Sequence, residues 1–90
     1  MKVHELKTWP SFFHEICTGQ KTFEFRKNDR DFKENDLLLL KEFDPNCGDH
    51  GEYLGGEILI IITKIYDWSL NIGLPEGYVI MQIKRMKVEE

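Results

Sequence analysis

Ninety residues, 41% of them hydrophobic and 31% charged, make one globular domain over 1–90 with one core. That length excludes a dinucleotide-binding domain or an eight-stranded α/β barrel, and the composition excludes a disordered tail. Twelve basic against sixteen acidic side chains give a net charge of −4, unlike a generic basic nucleic-acid coat protein. The charge is segmented: residues 1–33 carry +2, residues 34–76 carry −7 and residues 77–90 carry +1. A polyanion would meet one end of the chain and be repelled by its middle, if the fold keeps the segments apart.

In chain order, Val3–Lys7 reads as a first strand. Pro10 suits a first helical turn, and Phe12, Phe13, Ile16 and Cys17 share one face of a 3.6-residue period. Gly19 then stops a helix of two to three turns, because a left-handed cap is cheap for glycine. Lys21–Lys27 alternates: Phe23 and Phe25 point one way, Thr22, Glu24 and Arg26 the other, predicting a half-buried strand with a polar face. Asn28–Asp31 and Asn35-Asp36 are turns. Leu37–Phe43 is apolar at every early position and predicts a strand covered on both faces. Asp44–Gly56, rich in glycine and acids, reads as a loop or hairpin tip, with Tyr53-Leu54 at the start of the next strand as a variant of that reading. Gly56–Tyr66 is β-branched and apolar, the clearest strand in the chain. Asp67–Gly77 is irregular, and Tyr78–Met86 closes the domain. The sum is an α+β, mainly β fold. It is expected to be a small, closed or nearly closed barrel of about five or six strands capped by one short helix, since closure removes sheet edges.

Cys17 and Cys47 stand thirty positions apart. The N-terminal Met1–Lys7 lacks an apolar leader core, and the longest apolar runs, Leu37–Leu40 and Ile58–Ile62, are far below a membrane span. A cytoplasmic protein with two reduced thiols and no membrane partner is therefore expected. Cys47 and His50 form one C-x-x-H pair, half of a structural zinc site, so no metal and no cofactor are expected. Asp44 and Asn46 begin like a calcium loop, but the glycine and glutamate positions fail.

The densest chemistry lies in Gly19-Gln20-Lys21-Thr22-Phe23-Glu24-Phe25-Arg26. Glu24 and Arg26, two apart on a strand, project from one face. An arginine fork takes a phosphate or a base edge, a carboxylate accepts from an exocyclic amine, and Lys21 adds a point charge. The bland reading is that Glu24 and Arg26 simply neutralise each other. Lys27 and Arg30 are placed to follow a backbone and Asn28 to read a base edge, against the alternative of a turn held by its own side chains. His4 and Lys7 on the first strand are further candidates, His4 as donor or general acid, against the bland reading of an edge or half-buried structural histidine. Among Trp9, Tyr53, Trp68 and Tyr78, each able to stack a base, Trp68 in its irregular segment is preferred.

Gly19, Lys21, Glu24 and Arg26 match Gly-x-Lys-x-x-Glu-x-Arg, and the chain thereby resembles the ASCH domains of the PUA-like superfamily. It is similar in particular to a small phage and bacterial subfamily with His-Glu-Leu-Lys, a Pro-x-x-Phe helix and Phe-Glu-x-Arg-Lys-Asn-Asp-Arg. Here these are His4-Glu5-Leu6-Lys7, Pro10 to Phe13 and Phe23 to Arg30, followed by Asp36-Leu37-Leu38-Leu39-Leu40 and Gly77-Tyr78-Val79. One departure is Asn35, where a glycine commonly precedes the aspartate. The resemblance implies a PUA-like barrel, a cleft lined by the signature, and RNA or a nucleotide-like small molecule as partner. Some ASCH proteins look like amidohydrolases of acetylated cytidine, with a threonine where this chain has Glu24. A binding module for RNA or a nucleotide is therefore the expected function. The alternatives are a small amidohydrolase of N-acylated nucleosides, with Lys21 and Glu24 as its catalytic pair, and a protein-interaction adaptor using Asp44, Asp49 and Glu52.

Overall fold

A computed structural model describes residues 1–86. Its elements are β1 (Val3–Thr8), α1 (Pro10–Thr18), β2 (Phe23–Lys27), β3 (Leu37–Asp44), β4 (Glu52–Asp67), a single 3-10 turn (Trp68–Leu70) and β5 (Tyr78–Arg85). The five strands form one sheet in the order β1-β3-β4-β5-β2, with β1 parallel to β3 and the other pairs antiparallel. The sheet curls into a half-barrel, and α1 packs inside against β3.

The inner face holds the core. Leu6, Leu38, Leu40, Ile58, Ile60, Ile62, Val79 and Met81 alternate inward along their strands, and Phe13 and Ile16 of α1 and Phe32 of the β2–β3 loop close over them. Each such side chain contributes roughly 1.5–3 kcal/mol on burial. α1 begins with Pro10 in its first turn and ends on Gly19 at φ 83°, whose N–H donates to the Ile16 carbonyl.

The expected small barrel-like α+β fold is present as a half-barrel that stays open: β1 and β2 are both edge strands, with no backbone ladder between them among the described residues. Three expectations need correction. β3 is covered on one face only. Leu38 and Leu40 are fully buried, whereas Leu37 and Leu39 are half-buried on the convex side. The loop after β3 is shorter than its composition suggests, because Phe43 pairs with Tyr53 and Asp44 with Glu52. β4 thus runs sixteen residues, its ladder broken where Glu42 faces the Leu54–Gly56 stretch. Gly56 permits that break, since a Cβ there would lie 2.7 Å from Glu42 Oε1 and 2.8 Å from the Phe13 ring.

The third correction inverts β2. Phe23 and Phe25 are the exposed face, at 44% and 46%, and Glu24 is the buried residue at 3%. Glu24 pairs across the ladder with Met81 and Arg26 with Val79, both core residues, so the charged face looks into the half-barrel. Two cations neutralise Glu24 there. Phe25 is compensated outside by stacking on Tyr78, ring centroids 5.4 Å apart at 19°.

The β2–β3 loop is held by side chains. Asn28 Oδ1 accepts from the Phe32 amide at 2.9 Å. Asp36 accepts from the amides of Lys2 and Lys33 and from His4 Nε2 at 2.8 Å. These bonds hold the Asp36 carboxyl down at about 2, chiefly through His4, against the burial that would raise it. Asn35 occupies φ 74°, a left-handed conformation that asparagine tolerates and glycine enters freely.

Candidate functional site

At the mouth of the half-barrel, where β1 runs into α1 and α1 runs into β2, a cavity of about 220 Å³ opens. Its floor is a charged triad. Glu24 Oε1 accepts from Lys21 Nζ at 3.1 Å and Oε2 from Arg26 Nε at 2.7 Å. The Glu24 side chain is 3% exposed, those of Lys21 and Arg26 15% and 26%. One buried carboxylate thus carries two partly open cations, leaving a formal +1 at the floor. Lys21 is further fixed by its ammonium lying 4.4 Å from the Phe12 ring centroid. Arg26 Nη2 donates to the Lys7 carbonyl at 2.9 Å and to Thr8 Oγ1 at 3.4 Å.

Aromatic rings form the rim. Trp9, Phe12 and Phe25 line the cavity and are 57%, 42% and 46% exposed. Trp9 and Phe12 lie nearly parallel, 6° between planes and 6.1 Å between centroids. Trp9 stands there because it is the residue before Pro10, held extended at the helix entrance. Such a cleft offers flat apolar surface above a mixed donor–acceptor floor.

Of the residues singled out from sequence, Lys7, Lys21, Glu24 and Arg26 converge on this cavity. Arg30 lies along the adjoining surface, its Nη1 donating to the Glu5 carbonyl at 2.7 Å, and Lys27 is exposed beside it. The others lie elsewhere. Thr22 lines a separate hollow with Cys17 and Arg85. Asn28 is spent on the Phe32 amide. His4 is 7% exposed, bonded to Asp36 and edge-on to Phe32 at 4.9 Å, a core residue rather than a cleft residue. Trp68 sits on the 3-10 turn after β4 and is not part of the cavity lining. Thr8, Phe12 and Phe25 were not singled out. The apolar spacing of Phe12 and Phe25 points to the core, and only the inversion of β2 brings Phe25 to the rim.

Among the described residues no three metal-ligating side chains gather, and no helix is long and apolar enough to cross a membrane. Cys17 and Cys47 are free thiols. Cys47 Sγ donates to Glu52 Oε2 at 3.3 Å, and that carboxylate pushes the thiol pKa up.

A small half-barrel with one helix and a charged, aromatic-rimmed mouth thus defines the class of domain. The family profile of the domain of unknown function DUF3850 matches residues 3–83, and the chain belongs to that family. It is also 34% identical over 68 residues to the "Uncharacterized 12.9 kDa protein in GpA 3'region" of Escherichia phage P2, a match covering 76% of this chain. The chain spans 58% of that relative's length.

Proposed function

We propose that this domain is a binding module for RNA or a nucleotide, with the base held in the cleft over Lys21, Glu24 and Arg26. The observation that carries the reading is the buried Glu24 carboxylate, fixed by two cations at the floor of an aromatic-rimmed cavity. A carboxylate has about four lone-pair sites and two are used here, so it can still accept from an exocyclic amine. The unused N–H groups of Arg26 and Lys21 suit a ring carbonyl or a phosphate. Trp9, Phe12 and Phe25 supply stacking surface, worth roughly 1–3 kcal/mol per base. The resemblance to ASCH domains, whose signature residues Lys21, Glu24 and Arg26 are the floor of this cleft, supports the same ligand class and a PUA-like relationship. Binding is favoured over hydrolysis because Glu24 is tied to two cations and the cavity lining, as described, adds no second carboxylate or imidazole to share acid–base work.

The test is a titration of the full chain with nucleosides, nucleoside monophosphates and short single-stranded RNAs at low salt, followed by Trp fluorescence and calorimetry. Saturable binding that Arg26→Ala weakens at least tenfold is expected. No binding at low salt, or equal binding by Arg26→Ala, would overturn the assignment.

A further inference from the structure

Taking the cleft as a nucleotide site, we infer that its ligand is a single-stranded polynucleotide whose backbone lies along the open seam between β1 and β2. The inference rests on that reading of the cleft and adds the length of the ligand and its path.

A second groove of about 450 Å³ adjoins the cleft and shares Lys7 and Arg26 with it. Arg30 and Lys41 extend the groove, and Tyr53 provides one ring. Its acid, Glu5, faces Lys41 Nζ at 3.5 Å, so those two charges cancel. Lys7 lies over the Phe43 ring at 4.4 Å and Arg30 donates to a backbone carbonyl, and among the described residues neither is paired with a carboxylate. With the +1 of the Lys21–Glu24–Arg26 triad, cleft and groove together hold a formal charge near +3 in a chain whose net charge is −4. A mononucleotide in the cleft would leave most of that charge unused.

The spacing also fits a strand. Arg26 and Arg30 are pinned to the carbonyls of Lys7 and Glu5, two residues apart on the free edge of β1. Two residues of strand span about 6.6 Å, a step comparable to that between successive phosphates of an extended chain. Each guanidinium spends part of its five-donor fork on a carbonyl and keeps the rest for an anion, already oriented. The stacked base therefore occupies the cleft, and its neighbouring phosphates fall on Arg26, Arg30 and Lys7.

The experiment compares a mixed-sequence RNA hexamer with the four nucleoside monophosphates across a salt series. Neutralising about three phosphates on a single strand predicts a slope near −2 for log K against log[salt], against about −0.7 for one phosphate. The hexamer is expected to bind at least tenfold more tightly than the best monophosphate. Arg30→Ala, which lies outside the cleft lining, should flatten the hexamer slope by about 0.7 and leave monophosphate binding unchanged, and Lys7→Ala should flatten the hexamer slope by about the same amount. A hexamer no tighter than a monophosphate, or a slope unchanged in both variants, overturns the seam path while leaving the nucleotide cleft intact. Inorganic polyphosphate binding as tightly as the hexamer would also overturn it, by showing that only charge is read. Failure of both hexamer and monophosphates removes the cleft assignment itself.

Discussion

Acid should unfasten this domain at one identifiable point. Asp36 is 4% exposed and ties the start of β1, through Lys2 and His4, to the turn that feeds β3, through the Lys33 amide. Its carboxyl sits at about 2 in the folded protein against an ordinary 3.8. The folded value is the lower one, so the stabilisation is fully present above about pH 4 and is lost as pH falls through 3.8 toward 2. The gap is worth roughly 2 kcal/mol at 1.36 kcal/mol per unit, and solvent screening at the edge of the domain trims it to about 1–2. Urea unfolding of the wild type and of Asp36→Asn at about pH 6, 4, 3 and 2 measures it. The variant should be less stable by about 1–2 kcal/mol at pH 6, plus whatever hydrogen bonding the amide fails to replace, and the difference should shrink by that amount near pH 2. A difference that stays constant across the series would refute the link between Asp36 ionisation and the latch.

Other perturbations have equally definite outcomes. Glu24→Ala leaves two partly buried cations unpaired, at an expected cost of about 2–4 kcal/mol and roughly 10–20 °C in Tm, with Glu24→Gln losing less; differential scanning fluorimetry reads both. Asn35→Gly should match or exceed wild-type stability, whereas Asn35→Val at φ 74° should lose about 1–2 kcal/mol in the same urea assay. Gly56→Ala forces a methyl group against Glu42 and Phe13 and should cost about 1–3 kcal/mol. Cys47 should alkylate slowly with iodoacetamide at neutral pH, and Glu52→Gln should speed it by lowering the thiol pKa.

Element order and type were legible because periodicity, Pro10, Gly19 and the β-branched run after Gly56 report on local backbone choices. The face of β2 was not. Phe23-Glu24-Phe25-Arg26 alternates cleanly either way, and hydropathy alone puts the rings inside. The outcome turns on tertiary facts, namely two cations converging on Glu24 and a Tyr78 ring waiting outside for Phe25. Glycine and acid content disguised the start of β4, whose pairing with β3 resumes at Tyr53 beyond the break opposite Glu42. The partner that holds His4 was beyond any local spacing argument, because Asp36 lies 32 positions away. Lys21, Glu24 and Arg26 line one cavity while pairing with one another, the pairing that the alternation also allowed; the ring preferred from sequence, Trp68, lies off the cavity, and Trp9 stands on its rim.

The unzipped margin of the sheet carries a hazard that Arg26 and Arg30 also contain. A bare strand edge recruits foreign strands, and long charged side chains laid across it are a common guard. By occupying the carbonyls of Glu5 and Lys7, the two arginines deny a second molecule the acceptors it would need to dock there. Replacing either arginine would therefore strip part of this guard, with a loss of solubility as the expected cost.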